Sequence, residues 1–363
     1  MWKLILAKLK SIRFDFLGFF KFGSKDVGID LGTANTLIYV KNRGIVLSQP
    51  SVIAVDTHAK KILAVGTEAK KMVGRAPKHI KVIRPLEDGV ISNFEMTVEM
   101  LREFLSKVLA GMSRFSRIRV VIGVPSGVTE VEKRAVEEVV RSMGARDVYI
   151  LEEPMAAAIG VGLPIDGPTG CMVADVGGGT SDIAVIALEG IVTSTSLRHA
   201  GDKLNEAIVA YMRKNYELHI GDNMAEELKI QIGCAWLDPR DEFVRTAQYS
   251  VSGRDIVTGL PRTYTITPAE IHDAMSESLQ IIVDAIKTTL ENAPPAIAAD
   301  IANTGIVLTG GGALIRGIDR LIAEETGLRA FVAENALEAV AEGTGTSLSN
   351  IDKLQRYASN STK

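Results

Sequence analysis

The 363-residue sequence lacks any long apolar run, which excludes a predicted membrane-spanning helix. Every apolar stretch ends well short of the ~20 residues that are needed to cross a bilayer. Cysteine is scarce: there are two, Cys171 and Cys234, and neither they nor the five histidines are spaced as metal ligands. This pattern favours reduced thiols in a cytosolic protein. The net charge is only −3, so we expect no nucleic-acid partner.

Two common nucleotide-binding motifs are also missing from the sequence. No G-x-x-x-x-G-K-[ST] occurs, and no G-x-G-x-x-G leads from a strand into a helix, so the P-loop and Rossmann folds are excluded. The length is greater than one ordinary hydrophobic core accommodates, and it predicts two domains.

What the sequence does contain is a duplicated hairpin. Residues 27–40 (VGIDLGTANTLIYV) and 172–186 (MVADVGGGTSDIAVI) each consist of an apolar strand that ends in an aspartate, a glycine turn and a second strand. Backbone N–H groups of such a turn can converge on an anion, because glycine has no Cβ to block the approach. Asp30 and Asp175 would then face each other across a bound ligand.

A third glycine turn, Gly310-Gly311-Gly312, follows the predicted strand 305–308. One such turn more often serves hairpin structure alone, whereas three turns with two facing aspartates are hard to produce by chance. The set predicts a nucleotide–metal site, in which phosphates lie on backbone amides and Mg²⁺ is held largely through water by one or two carboxylates.

These motifs resemble the actin, Hsp70 and sugar-kinase superfamily, and within it the MreB family of bacterial actins. The resemblance extends from about residue 27 to about residue 348. Its matching runs are IDLGTANTLIYVKNRGIVLSQPSVIAV, LEEPMA with the following AIGVGLP, GGGTSD, SGRDIVTGLPR and IVLTGGGALIRGIDRL. It implies an α/β, actin-like ATPase fold of two duplicated ribonuclease H-like domains, each with a small inserted lobe.

The resemblance also implies a division of the chain. Domain I would span residues 26–167, with an inserted lobe at about 55–87, and domain II would span 168–335, with an inserted lobe at about 204–267. A helix at about 336–350 would return to domain I, followed by a loose polar tail, 351–363. Among local signals, Thr129 predicts a helix N-cap, and residues 313–326 predict a helix after the third glycine turn.

Roles for individual residues follow from the resemblance. Asp30 and Asp175 would orient the Mg²⁺ shell, and Glu153 would position the attacking water, with Thr180 beside it. A carboxylate just before a helix can instead compensate the helix dipole, which is the alternative for Glu153 and the preferred interpretation of Glu152. The predicted nucleotide contacts are Gly32, Thr33, Ala34, Asn35, Gly177, Gly178, Gly179, Thr180, Glu226, Glu227, Leu228, Lys229, Gly310, Gly311 and Gly312.

The sequence departs from the family pattern at a few positions. Glu227 stands where arginine is usual, and Asp182 replaces a glutamate. Near the end of the chain, Asn335-Ala336 and Glu342 replace an Asp-Pro pair and a basic residue. The last three changes bear on filament contacts more than on the nucleotide.

Residues 1–22 differ from the rest of the chain and predict a membrane-binding segment within residues 1–25. They carry a net charge of +4, which leaves −7 for the remainder. A signal peptide is excluded, because Lys8 and Lys10 interrupt the apolar region and no cleavage site follows. We expect a helix lying in the membrane plane, with docking on the protein's own core as the alternative. Its apolar face would include Trp2, Ile5, Leu6, Leu9, Phe16 and Phe19.

A second membrane contact follows from the resemblance. In the family, the loop that holds Met112 and Phe115 lies beside the membrane, so both side chains could insert there. The alternative for Phe115 is packing against its own domain.

The resemblance implies an ATP-dependent cytoskeletal protein with ATP/ADP and Mg²⁺ as cofactors and slow ATPase activity. Filaments would be head-to-tail and paired, peripheral on the inner face of the cell membrane. They would determine cell shape by organising cell-wall synthesis through transmembrane partners. One alternative is a small-molecule kinase, although Glu153 stands where its general-base aspartate belongs. Others are a chaperone, which needs a further domain beyond Lys363, and a non-polymerising nucleotide-binding scaffold.

Overall fold

The computed structural model describes residues 25–109, 118–349 and 353. Strands and helices are numbered in chain order. The strands are β1 (Lys25–Leu31), β2 (Asn35–Val40), β3 (Gly44–Pro50), β4 (Ile53–Asp56), β5 (Lys61–Val65), β6 (Ile80–Ile83), β7 (Leu86–Glu87), β8 (Val90–Ile91), β9 (Ile118–Val124), β10 (Ala145–Glu152), β11 (Cys171–Val176), β12 (Ser181–Ala187), β13 (Gly190–Leu197), β14 (Leu218–His219), β15 (Tyr249–Asp255), β16 (Pro261–Ile266), β17 (Ile306–Thr309) and β18 (Ala330–Val332).

The helices lie between groups of these strands along the chain. They are α1 (Thr67–Lys70), α2 (Phe94–Leu109), α3 (Glu130–Ser142), α4 (Glu153–Gly160), α5 (Gly201–Tyr216), α6 (Asp222–Ile232), α7 (Glu242–Thr246), α8 (Pro268–Glu291), α9 (Pro295–Thr304), α10 (Ile318–Thr326) and α11 (Ala339–Ser347). A 3₁₀ turn, Gly311–Leu314, follows β17.

Two five-stranded sheets share one topology. The first has the order β3-β2-β1-β9-β10 and the second the order β13-β12-β11-β17-β18. In both, the first three strands pair antiparallel and the last two join in parallel. We call the parts built on these sheets domain I and domain II. The central hairpins β1–β2 and β11–β12 are the duplicated sequence segments, so the repeat in sequence is a repeat in structure.

The central strands are buried on both faces. All residues of β11 and β12 are buried, which suits a sheet covered by helices on each side and explains their continuous apolar sequence. Thr129 caps α3: its hydroxyl accepts a 3.3 Å hydrogen bond from the Glu132 N–H, and the Glu132 carboxylate accepts one from the Thr129 N–H. This N-cap prediction is confirmed.

A small lobe extends from each sheet. In domain I, the sheet β5-β4-β6 packs with α1, and in domain II the sheet β14-β15-β16 packs with α6. The helix predicted over 313–326 is divided: the 3₁₀ turn ends before α10, and Gly317 between them has a φ of 75°. A left-handed residue breaks the helical hydrogen bonding, so the single-helix prediction was wrong there.

Helices α4 and α11 cross where the two domains meet. A methyl group on Gly160 would lie 1.9 Å from the carbonyl oxygen of Ala339, and one on Gly343 would lie 1.8 Å from that of Ala156. The two backbones are therefore in direct contact. Around this crossing, buried side chains from both sheets form one apolar cluster, which includes Leu151 and Val173.

Candidate functional site

A cavity of about 720 Å³ lies between the two domains. Asp30 near the end of β1 and Asp175 near the end of β11 both line it. The glycine turns that follow these strands meet each other. A methyl group on Gly178 would lie 2.5 Å from Cβ of Ala34, and one on Gly179 would lie 2.5 Å from Oγ1 of Thr33. Glycine at these two positions therefore allows the turns of the two hairpins to pack in direct contact.

The third glycine turn closes the cavity from the domain II side. Gly310 has a φ of 81°, and a methyl group there would lie 2.3 Å from the carbonyl oxygen of Val176. Gly312 is equally close, with 2.3 Å between such a methyl group and Cγ1 of Val176. Only glycine, which has no side chain, fits at these two positions. The third turn can therefore pack directly against the end of β11.

Three buried carboxyl groups, those of Asp30, Glu153 and Asp175, line the cavity, and that of Asp182 lies close enough to raise the pKa values of Glu153 and Asp175. Burial, together with the charge of Asp175, raises the pKa of Asp30 to about 8. Burial also raises the pKa of Asp175 to about 7, against a lowering contribution from its hydrogen bond with Thr309. The pKa values of Glu153 and Asp182 are raised as well, mainly by burial. Such a cluster favours binding a cation, which stabilises the charged forms.

The donor set fits a hydrated Mg²⁺ held with phosphates. Within the described ranges, no group of three or more His, Cys, Asp or Glu side chains could hold a metal by itself. Mg²⁺ keeps several waters and takes one or two carboxylates plus substrate phosphates, so paired aspartates beside glycine turns suit it. Oδ1 of Asn205 in the same cavity is buried and has no hydrogen-bond partner among the described residues, so a ligand hydroxyl or amino group could supply one.

Helix α6 forms another part of the cavity wall. Lys229 donates a 2.8 Å hydrogen bond from Nζ to the carbonyl oxygen of Gly201, and burial lowers its pKa. Glu226, Lys229 and Ile230 line the cavity, whereas Leu228 is fully buried in the domain II core. The Glu227 carboxylate instead accepts a hydrogen bond from the Tyr249 hydroxyl.

Almost all of the predicted catalytic, metal and nucleotide-contact residues lie together in the cavity wall. Glu227 and Leu228 do not, because the 100° turn between successive helical residues directs them to other faces of α6. The residues in the wall are Asp30, Gly32, Thr33, Ala34, Asn35, Glu153, Asp175, Gly177, Gly178, Gly179, Thr180, Glu226, Lys229, Gly310, Gly311 and Gly312.

The sequence reasoning missed an apolar part of the wall. Ile230, Leu314 and Leu337 line the cavity although their side chains are 68%, 55% and 50% exposed. The guanidinium carbon of Arg316 lies over the Phe243 ring, 4.1 Å from the ring centroid, and both residues line the cavity. Apolar side chains that stay exposed in a cleft suit a planar ligand. A helical projection of α6 could have identified Ile230, because it lies four residues after Glu226 and therefore on the same face of the helix.

The predicted membrane contacts lie outside the described residues; they are Trp2, Ile5, Leu6, Leu9, Phe16, Phe19, Met112 and Phe115. Among the described helices, none is both long and apolar enough to cross a bilayer.

Comparison with known proteins identifies the family. The family model described as MreB/Mbl protein matches residues 24–356. The chain belongs to the MreB/Mbl family. Two MreB/Mbl relatives are each 48% identical: the cell shape-determining protein Mbl of Bacillus subtilis, with 92% of this chain and 98% of Mbl covered, and the cell shape-determining protein MreB of Escherichia coli, with 91% and 94% covered.

Solved MreB structures confirm the actin-like α/β fold that the sequence predicts. MreB5 of Spiroplasma citri bound to ADP superposes with a TM-score of 0.85 at 35% identity, over 92% of this chain and 98% of MreB5. Its complex with AMPPNP gives a TM-score of 0.84 at 36% identity, with the same coverage.

Proposed function

We propose that this chain binds ATP or ADP with Mg²⁺ in the cavity between its domains and hydrolyses ATP slowly. The observation that carries the proposal is the pair Asp30 and Asp175, which lie on equivalent strands of the duplicated sheets and line one cavity with three glycine turns. The MreB5 complexes with ADP and AMPPNP support the choice of nucleotide.

Different residues of the chain would have different roles in ATP hydrolysis. Backbone amides of the turns at 32–35 and 177–180 would hold the phosphates, while Asp30 and Asp175 would orient the hydrated metal. Bound Mg²⁺ would neutralise charge that develops on the phosphates. Glu153 begins α4, is buried beside both aspartates and has a raised pKa, which makes its carboxylate a better proton acceptor for an attacking water. Thr180 lines the cavity beside it.

The proposal extends to filaments. The relatives are named for determining cell shape, and a head-to-tail contact between unlike surfaces gives an open polymer. Closure of the two domains around a nucleotide would change the shape of the subunit and thereby polymer stability. We propose paired filaments that organise cell-wall synthesis through transmembrane proteins of the elongation machinery.

We also propose a peripheral location on the inner face of the cell membrane. Residues 1–22, together with Met112 and Phe115, would provide the contact with lipid. Each basic residue near an anionic surface contributes ~1 kcal/mol, so a single subunit would bind reversibly. A filament would bind far more firmly, because linked sites multiply their affinities.

Sedimentation with MgATP, with and without anionic vesicles, tests these proposals. We expect the full chain to pellet as polymer and to carry vesicles with it. A variant without residues 1–22 should polymerise but leave the vesicles behind. The Asp30→Asn/Asp175→Asn double variant should lose nucleotide-dependent pelleting. A full chain that binds MgATP but stays monomeric throughout would instead support a non-polymerising scaffold.

A further inference from the structure

Two ion pairs connect the domains beside the cavity. Nζ of Lys70 in α1 lies 2.6 Å from Oε2 of Glu226 in α6. Nη2 of Arg84, between β6 and β7, lies 3.0 Å from Oδ2 and 3.2 Å from Oδ1 of Asp202 in the first turn of α5. In each pair the cation belongs to domain I and the carboxylate to domain II.

Both carboxylates are part of the cavity wall. Glu226 and Asp202 line it, and the ammonium group of Lys229 lies close enough to interact with both of them and with Lys70 and Arg84. Three cations and two carboxylates therefore form one network along this end of the cleft. Because Lys229 is also hydrogen-bonded to the Gly201 carbonyl, the network is anchored on the domain II side.

Opening the cleft would lengthen both ion pairs together, since each joins the two domains at the cavity wall itself. The side chains are partly exposed, between 25% and 41%, so solvent screens their attraction. A partly exposed pair typically changes an equilibrium or a rate by about two- to fivefold. A change of this size is too small to determine the fold, but it is large enough to alter how often the cleft opens.

We propose that Lys70 and Arg84 are positioning residues that hold Glu226 and Asp202 in place and slow the release of nucleotide from the closed cleft. This inference rests on the proposed nucleotide-binding function. It gives domain I, whose inserted lobe contributes Lys70, a part in positioning two carboxylates of the cavity wall. The two residues act through their carboxylate partners and need not touch the nucleotide.

The test uses the full chain and a fluorescent ADP analogue with Mg²⁺. Lys70→Ala and Arg84→Ala should each accelerate release about two- to fivefold, and the double variant about tenfold. Raising the salt from about 0.01 M to about 1 M should accelerate release from the wild type, because screening weakens the pairs. The double variant should lose this salt dependence. Lys70→Arg keeps the charge and should retain slow release.

Two matched controls separate the network from a general loss of charge. Lys71 pairs with Glu68 within α1, at 2.6 Å, and this pair does not cross the cleft. Arg198 in domain II lies 3.4 Å from Glu132 in domain I, and neither lines the cavity. Lys71→Ala and Arg198→Ala should both release the analogue at the wild-type rate.

Several outcomes would overturn the inference. One is wild-type release from the double variant when thermal unfolding shows it to be folded. Another is equal acceleration in either control variant. A wild-type chain that does not bind the analogue would instead refute the proposed function, so the two failures are distinguishable.

Discussion

The hydroxyl of Thr309 donates a 2.7 Å hydrogen bond to Oδ1 of Asp175. Both side chains are buried, and the bond links the last residue of β17 to the adjacent parallel strand β11. It favours the charged form of the Asp175 carboxylate, although burial has the larger effect and raises the pKa to about 7. The end of β17 thus orients an aspartate before the third glycine turn begins.

Replacing Thr309 with valine should weaken Mg²⁺-dependent nucleotide binding. The change leaves a buried carboxylate oxygen without its donor, which costs about 1–3 kcal/mol. We expect lower stability on thermal unfolding and a higher Mg²⁺ requirement in a nucleotide titration. Thr288→Val is the control, because that hydroxyl donates to the backbone carbonyl oxygen of Asp284 on the exposed side of α8 and to no carboxylate. Equal behaviour of the two variants would contradict the role given to Thr309.

The Asp30 carboxyl should make the ligand-free protein less stable at higher pH. Its folded-state pKa of about 8 lies above its ordinary value of 3.8, so the folded state binds more protons than the unfolded state between these values. Stability therefore falls as pH rises through this window, by up to about 1.4 kcal/mol per pH unit for one carboxyl. Asp30→Asn should flatten the dependence of unfolding on pH. A profile unchanged by Asp30→Asn would refute the raised pKa.

Glu153→Gln should separate hydrolysis from binding. The variant keeps the shape of the side chain but removes the proton acceptor, so we expect ATP hydrolysis to fall by about 10²–10⁴-fold. Nucleotide affinity should stay within a few-fold, because binding rests on the glycine turns and the aspartates. The adjacent Glu152→Gln provides the comparison and should hydrolyse ATP at nearly the wild-type rate. An equal loss of ATP hydrolysis in both variants would instead show that these carboxylates stabilise the structure and do not activate the attacking water.

The crossing of α4 and α11 should not tolerate a methyl group. Gly160→Ala and Gly343→Ala would each place one within 2 Å of a backbone oxygen, so the helices would have to separate. Overpacking of this kind costs typically 1–3 kcal/mol, and here the rigid neighbour is backbone. Denaturant unfolding measures the loss. Gly167→Ala is a fair control, since the nearest atom to its new methyl group lies 4.0 Å away.

The unusual residues near the end of the chain form a complementary pair. The side-chain amide of Asn335 donates to the Glu342 carboxylate and, at 3.4 Å, to the carbonyl oxygen of Gly160. Asn335→Asp should place two carboxylates in contact and destabilise the protein by about 0.5–1.5 kcal/mol. Adding Glu342→Lys should restore stability, because the pair again attracts. A double-mutant cycle on thermal unfolding checks this, and purely additive effects would show that the two residues act independently.

The duplicated hairpins show how much of the site local sequence predicts. A strand, an aspartate and a glycine turn are fixed by residues within about fifteen positions, so Asp30, Asp175 and their turns could be identified without a structure. The N-cap at Thr129 is equally local. The run at 226–229 is less informative, because a helix directs adjacent residues to different faces and only some of them can line one cavity. On a helix, residues three and four apart share a face, and in α6 these are Glu226, Lys229 and Ile230.

The amino-acid sequence by itself determined the strands, the glycine turns and the family resemblance, because each depends on neighbouring residues. Only the tertiary structure decided which distant side chains meet: Lys70 with Glu226, Arg84 with Asp202, and Asn335 with Glu342. Such contacts depend on how two domains and a returning helix pack, and no local propensity encodes that arrangement. The same packing left Leu228 in the core and brought apolar side chains to the cavity wall.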